Sequence, residues 1–588
     1  MCQFFILRAL TKYFFYGRLF VKFREKNIMK DFLKVNYKYI IVIFIISLVM
    51  TFFMTKKEGF HEDEMFSYGS SNYAYDNVYR PYGKEDETNI FVKEKIMNGN
   101  IIQNLKYYLI DHRDIKDETL ANIKSEFVPI WRSSDEANDY LTIQPKDALN
   151  YGMVYYNQSR DIHPPLFYFL VHTVSIIFMG HFSKYIIFSI NLVFMILSLW
   201  NIKNIFEKLD KKYLIIPALI LYGFSMGAIS TVIFQRMYSM LNFFVLMFIS
   251  ANIDIIKKNF EIDKKLWNKL TWIVLLGFWT QYYFCIIAGM IAVLVFIGVI
   301  KNQGKQGVIS YILKYLKMAV IGVLLYPLSI NHIFFSYRGV GKAEMVREFG
   351  EKLVEYLNII GYSFSVPILA IGICLLVVIM AVGIKALIEK KIDKNVLCAC
   401  AIIFSIVGYI CIIVKVSPEL QDANIIRYIM CILPLIVISI FLLIDTVIKN
   451  KNVLKYSLVG ISLVVSVYGL IFSQPAFLYK GYAKYLEIAE ENKKDKFVYV
   501  GDTVFNHIQS MPEFATYSES LILDENQLDV LDKDSKLSEE NEFILSIKKY
   551  KGADEILAKV IEKTGFSNYE VLLDDDGDVG CKIYRVMR

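Results

Sequence analysis

The sequence predicts a polytopic α-helical membrane protein of about 11 spans, with a large first extracytoplasmic loop and a small C-terminal α/β domain. Three observations carry that prediction. Hydrophobic residues make up 55% and aromatics 15% of the 588 residues, more than an ordinary soluble chain holds. Apolar runs near the ~20 residues that cross a bilayer recur along the chain. Past about residue 490 the runs shorten and are separated by polar turns, as in a small domain built on strands.

The formal net charge of +7 comes from Lys and Arg scattered between apolar runs, a pattern that sets membrane topology and not one that binds nucleic acid. The eight cysteines offer no metal spacing and no disulfide is predicted: Cys398 and Cys400 sit inside an apolar run, and Cys581 is the only cysteine in the polar regions assigned outside.

Taken in order, residues 1–38 form a basic cytoplasmic N-terminus. Residues 1–28 read equally as an amphipathic surface helix or as a leader before a true start at Met29. Tyr39–Met54 is the first span, since no small-residue cleavage site follows it. Residues 55–164 form the first outer loop. Pro165–Gly180 is too short to cross and starts with a Pro pair, so it is expected to lie along the outer surface as an interfacial helix. The remaining spans are 184–201, 213–233, 237–256, 270–282, 283–300, 318–336, 366–388, 396–416, 429–447 and 456–473, closing a transmembrane module over 39–474. This arrangement puts five Lys-rich loops on one side: 203–212, 257–269, 301–317, 390–394 and 449–455. The positive-inside tendency makes that side cytoplasmic, with the carboxyl terminus outside.

Residues 475–588 are the extracytoplasmic α/β domain. Strands are expected at 496–502, 521–524, 569–573 and 579–586, and a helix at 554–564. At ~100 residues such a domain can just bury its own core. Asp574–Asp578 reads as a solvated turn, because its spacing does not fit a calcium loop.

The outer face collects the chemistry. Asp63 and Glu64 follow the first span closely, and carboxylates at that depth are costly unless solvated or paired; the bland alternative is a solvated loop start. Arg236 and Arg427 each end a span beside an aromatic, Tyr238 and Tyr428, on a face poor in cations. Arg is suited to bidentate phosphate contacts, against the alternative of a snorkelling anchor. Two such sites facing an acidic loop favour a shared anionic ligand, naturally the phosphate of an amphiphile. Asp161 and His163 precede the rigid Pro164-Pro165 and point the same way if extended. Tyr282 and Tyr283 serve as belt aromatics or as substrate contacts. No cofactor is called for; a divalent metal stays open but is unsupported by spacing, for want of a second histidine.

These residues together resemble the C-type (GT-C) glycosyltransferase superfamily, in its protein O-mannosyltransferase and aminoarabinose-transferase-like branch. The matching pieces are Asp63-Glu64, Asp161-x-His163-Pro164-Pro165-Leu166, Arg236-Met237-Tyr238, and Arg427-Tyr428 with Leu433-Pro434. The resemblance implies an inverting transferase in the cell membrane. It would move a hexosyl or pentosyl group from a polyprenyl-phosphate donor to an extracytoplasmic protein, lipid or glycan acceptor. It further implies Asp63 as general base with Glu64 beside it, donor phosphate held by Arg236, Tyr238, Arg427 and Tyr428, and a site shaped by Asp161, His163, Tyr282 and Tyr283. Two positions depart from the pattern: Gln235 stands where relatives often carry an acid, and Gln281 where a histidine often precedes the tyrosine pair. The first loop, unusually long and with Trp131–Ser134 and Tyr155–Asn157 in its second half, is expected to cap the acceptor or donor sugar. The rival functions are a transporter or flippase of lipid-linked sugars and a non-catalytic protein that binds them; the first expects mid-span charge and repeat symmetry, which the sequence lacks.

Overall fold

A computed structural model describes residues 26–73, 129–335, 349–372, 379–380, 394–417, 423–501, 506–532, 534–548, 552–575 and 580–588. The middle of the first outer loop, the start of the loop expected at 337–365, most of the expected span 366–388 and the Gly577 turn lie outside these residues.

Helix α1 (Lys26–Thr55) is followed by α2 (Glu62–Asn72), then by strand β1 (Trp131–Ser133), α3 (Ser134–Leu141), α4 (Tyr151–Arg160) and α5 (Leu166–Ser175). The helical module continues through α6 (Tyr185–Lys208), α7 (Ile215–Gly223), α8 (Met226–Ile233), α9 (Tyr238–Lys257), α10 (Lys264–Thr280), α11 (Tyr283–Asn302) and α12 (Gly304–Leu325). It closes with α13 (Phe349–Phe364), α14 (Lys394–Val416), the single turn α15 (Ile426–Ile429), α16 (Leu433–Val447) and α17 (Lys451–Phe472).

Among the described residues, 7 helices are long and apolar enough to cross a membrane, and the pair from Lys212 to Ile233, bent by 62°, passes the same test only when its two halves are taken together as one broken span. The bend falls where Ser225 caps α8 by accepting from the Ala228 amide at 3.1 Å, which starts a new helix in place of continuing the old one. Helix α9 is enclosed by its neighbours, whereas α1 and α17 keep one apolar face outward, with Phe44, Leu48 and Phe52 on α1 and Val464, Ile471 and Phe472 on α17 exposed. That is the pattern of a multi-pass protein whose rim meets lipid. Helices α10 and α16 are shorter, at 17 and 15 residues.

Several expected span boundaries shift, the start of the 318–336 span furthest. The span placed at 318–336 begins at Gly304, so Lys305, Lys314 and Lys317 ride on α12 and not in a loop. Lys314 lays its ammonium over the Trp267 ring at 4.6 Å, a cation–π contact that lets a basic residue occupy a helix beside apolar neighbours.

The module has two chemically distinct ends. At one, Lys208 pairs with Asp254 at 2.5 Å, and Lys211 and Lys451 both reach the buried Asp445 at 2.7 Å. This end gathers parts of three of the expected Lys-rich loops. The other end, where α1 finishes and α9 and α11 begin, carries the residues described below.

The C-terminal part adds α18 (Ala483–Glu491), β2 (Lys496–Gly501), β3 (Glu519–Asp524), β4 (Glu542–Lys548), α19 (Ala553–Thr564), β5 (Asn568–Asp574) and β6 (Cys581–Met587). The sheet order is β1-β3-β2-β4-β6-β5. Strand β2 pairs in parallel with β3 and β4, while β1 pairs antiparallel with β3, β6 with β4, and β5 with β6.

The sheet adds two things to the sequence reading: β4 was not foreseen, and Trp131, Arg132 and Ser133 of the first outer loop form the edge strand β1 in register with Leu521, Ser520 and Glu519. The sheet also does not rely on a core of its own alone. Val498, Val500, Leu545 and Val586 face α19 in a separate cluster, while Phe497, Tyr499, Ile522, Ile544 and Ile583 belong to the same core as the helical module. Alternate strand residues point to opposite faces, so the sheet is a wall shared between the two parts.

Candidate functional site

Helix α2 starts the site. His61 caps it, its Nδ1 accepting from the Asp63 amide at 3.0 Å, while the Glu64 carboxylate returns to the His61 amide at 2.7 Å. This reciprocal capping box fixes the first turn. Burial drives the His61 pKa down to about 3, against the pull of Asp63 and with the help of Arg427, Arg236 and Lys57, so the imidazole is neutral and its proton sits on Nε2.

Glu64 turns inward and is fully buried. It accepts from Lys57 Nζ at 2.9 Å, from the His61 amide and from the Gln235 amide at 2.8 Å. Burial pushes its carboxyl up and the Lys57 ammonium down, and their mutual attraction opposes both. Lys57 also donates to the Phe477 carbonyl at 2.6 Å. The pair thus ties the loop after α1 to the break between α8 and α9 and to the segment leading into the sheet. Gln235 fits this joint, taking a hydrogen bond from Tyr68 at 2.8 Å.

Asp63 faces the other way. Its side chain keeps 17% of its surface exposed and is paired with Arg427 of α15. Its carbonyl accepts from Arg236 Nη1 at 3.0 Å, and the same nitrogen reaches Ser67 Oγ at 3.1 Å. Arg236 Nη2 lies 3.2 Å from His163 Nε2, and His163 Nδ1 lies 2.8 Å from Asp161 Oδ2. Burial and the Arg236 cation hold the His163 pKa below its ordinary value, against Asp161. Burial opposes the charge of Asp161, but His163 and Arg236 bring its carboxyl below the usual range. The consistent assignment is a neutral His163 donating from Nδ1 to an ionised Asp161 and accepting from Arg236 at Nε2.

Aromatics line this cluster. The guanidinium of Arg236 lies over the Tyr168 ring at 5.8 Å and that of Arg427 over Tyr428 at 5.2 Å. The phenol of Tyr238 lies in the field of both arginines. Tyr283 meets Tyr428 ring to ring at 5.8 Å, and Tyr282 donates toward or accepts from His332 at 3.0 Å. Phe477, from the chain entering the sheet, stacks on Phe234 at 4.0 Å. Among the described residues, Tyr168 Oη, Arg236 Nε and Arg427 Nε are buried with no hydrogen-bond partner. A buried donor left unsatisfied is costly, and these three atoms have hydrogen-bonding capacity to offer a polar ligand.

Asp63, Arg236, Tyr238, Arg427, Tyr428, Tyr283, Asp161 and His163 therefore meet in one cluster. Tyr282 stands at its margin, within the field of Asp161. Glu64 lies directly behind. Sequence reasoning gave no role to His61, Ser67 or Tyr168, although the motifs contain them, nor to Lys57 and Phe477, whose contacts span 420 positions. No group of three or more His, Cys, Asp or Glu among the described residues gathers as a metal set.

No protein-family model matches the chain, and no curated protein matches it. Among solved structures, the chain is similar to ArnT from Cupriavidus metallidurans, both bound to undecaprenyl phosphate and in the apo state. In each case the identity is 10%, the match covers 72% of this chain and 87% of that one, and the TM-score is 0.41.

Proposed function

We propose that the chain is an inverting glycosyltransferase that uses a polyprenyl-phosphate-linked sugar on the extracytoplasmic face. The observation that carries this reading is the juxtaposition of Asp63 with Arg236 and Arg427, two buried guanidiniums whose Nε donors are unused. A general base and a receptor for a phosphate leaving group are the two devices that displacement at a phosphorylated anomeric carbon requires.

In the reaction, an acceptor hydroxyl attacks the anomeric carbon as the bond from that carbon to the phosphate oxygen breaks. The electron pair leaves on the phosphate, where the arginines stabilise it. The acceptor proton passes to Asp63. Because the transition state is oxocarbenium-like, proton removal comes late and a carboxylate suffices. Glu64, sealed behind Asp63 and saturated with donors, positions the turn and takes no proton. Tyr238, Tyr428 and Tyr168 frame the phosphate, and Asp161 orients Arg236 through His163.

The test is to incubate the purified protein with polyprenyl-phosphate hexose and pentose donors and candidate acceptors, following release of polyprenyl phosphate and the configuration of the new bond. Inverted product with stoichiometric release is expected. Retained configuration would refute the single displacement, and transbilayer movement of intact donor with no new glycosidic bond would establish the flippase alternative.

A further inference from the structure

We infer that Arg427 acts as a latch on Asp63, released by the phosphate of the donor, so that the base leaves its ion pair with Arg427 only when the donor is seated. The inference rests on the reading of a lipid-phosphate donor given above. The two arginines of the site are held differently. Arg236 is fixed by the Asp63 carbonyl, Ser67 Oγ and His163, all uncharged groups. Arg427 instead spends its Nη1 on the Asp63 carboxylate itself, while its Nε stays buried and unused. The group expected to bind the leaving phosphate is thus the group that occupies the base.

Ion pairing to a guanidinium favours the charged carboxylate and makes it a weaker proton acceptor. A phosphate offers several oxygens to the planar fork of Arg427 and can engage two of its donors at once, an exchange that favours the phosphate over a single contact to Asp63. Seating the donor then draws Arg427 away and releases the Asp63 carboxylate from that ion pair to take the acceptor proton. When the polyprenyl phosphate departs, Arg427 returns, favours the carboxylate again and expels the proton to water. The proton taken from the acceptor is accounted for, and the site closes ready for the next donor.

Competition makes a prediction that does not depend on turnover. Affinity for polyprenyl phosphate is measured for the detergent-solubilised full chain and for Asp63→Asn, Arg427→Gln and the double variant. Asp63→Ser is measured alongside, so misfolding of one Asp63 variant leaves the comparison intact. Release of the latch should tighten binding in Asp63→Asn by about tenfold, the scale of one charge-assisted contact, and should do so by less than about twofold when Arg427 is already Gln. Unchanged or weaker binding in both Asp63 variants overturns the latch. Equal tightening with and without Arg427 also overturns it, because that result is simple repulsion between Asp63 and phosphate. Failure of every protein to bind polyprenyl phosphate overturns the donor reading itself, a different result from either.

Discussion

The carboxylate of Asp63, in the first turn of α2, accepts from the guanidinium of Arg427, which lies 364 positions along the chain in the turn before α16. The contact joins the first and last parts of the helical module at its site end. Arg236 reaches the same turn from a third direction through the Asp63 carbonyl. One turn of helix thus organises both cations.

The proposed function makes donor binding depend on Arg236. Replacing it by Ala removes a buried cation that the proposal assigns to the leaving phosphate, and should raise KM for a polyprenyl-phosphate donor and lower kcat together, with kcat/KM falling ~10²-fold or more. Steady-state kinetics over a donor titration checks this, and unchanged donor kinetics would remove the residue from the phosphate site.

The Lys57–Glu64 pair should behave as a unit. Lys57→Met leaves a buried carboxylate with no cation, and Glu64→Gln leaves a buried ammonium with no anion; each should cost ~3–5 kcal/mol of stability. The double variant should lose less than the sum of the two. Thermal unfolding of the four proteins in one detergent measures the coupling.

Acid should weaken the native state through His61. Its folded pKa is about 3 against an ordinary 6.5, so the unfolded chain takes up a proton as pH falls through 6.5 while the folded chain does not until near pH 3. Stability is lost over that window, by ~2 kcal/mol between pH 6.5 and 5. Glu513 opposes this, since burial raises its pKa to about 7 from 4.5 and the folded chain gains a proton first as pH falls. The measurement is therefore the difference between wild type and His61→Asn, which keeps a capping acceptor. Unfolding at pH 7 and pH 5 should show the larger acid loss in the wild type.

Gly69 lies on the face of α2 against the ring of Tyr140, and a Cβ there would fall 2.0 Å from the ring carbon that bears the hydroxyl. Tyr140 is itself fully buried, so it has nowhere to retreat. Gly69→Ala should destabilise by ~1–3 kcal/mol, despite alanine's better helix propensity. A melting temperature equal to or above that of the wild type would contradict the packing.

Much of the framework was legible in the sequence because lipid-facing helices announce themselves by length and apolarity. The residues of the cluster were legible as types at span ends, with Asp63, Arg236, Arg427 and the Asp161–His163 pair all arriving in one place. What was not legible depends on contacts distant in sequence. Nothing local tells that Glu64 turns in to Lys57 while its neighbour Asp63 turns out, and nothing around Trp131 tells that it will pair with Leu521. Helix α12 was misjudged because a cation-bearing amphipathic turn resembles a loop until Trp267 is beside it. Strand β4 was within reach, since Phe543-Ile544-Leu545 is a short apolar run like those that mark β2 and β3.

The most direct test of the account is transfer of labelled sugar from a polyprenyl-phosphate donor by wild type and by Asp63→Asn, present in equal, correctly inserted amounts. With Asp63 as general base, the variant should still bind polyprenyl phosphate but transfer sugar at least ~10²-fold more slowly, the scale of a lost general base. Transfer within about threefold of wild type would contradict it.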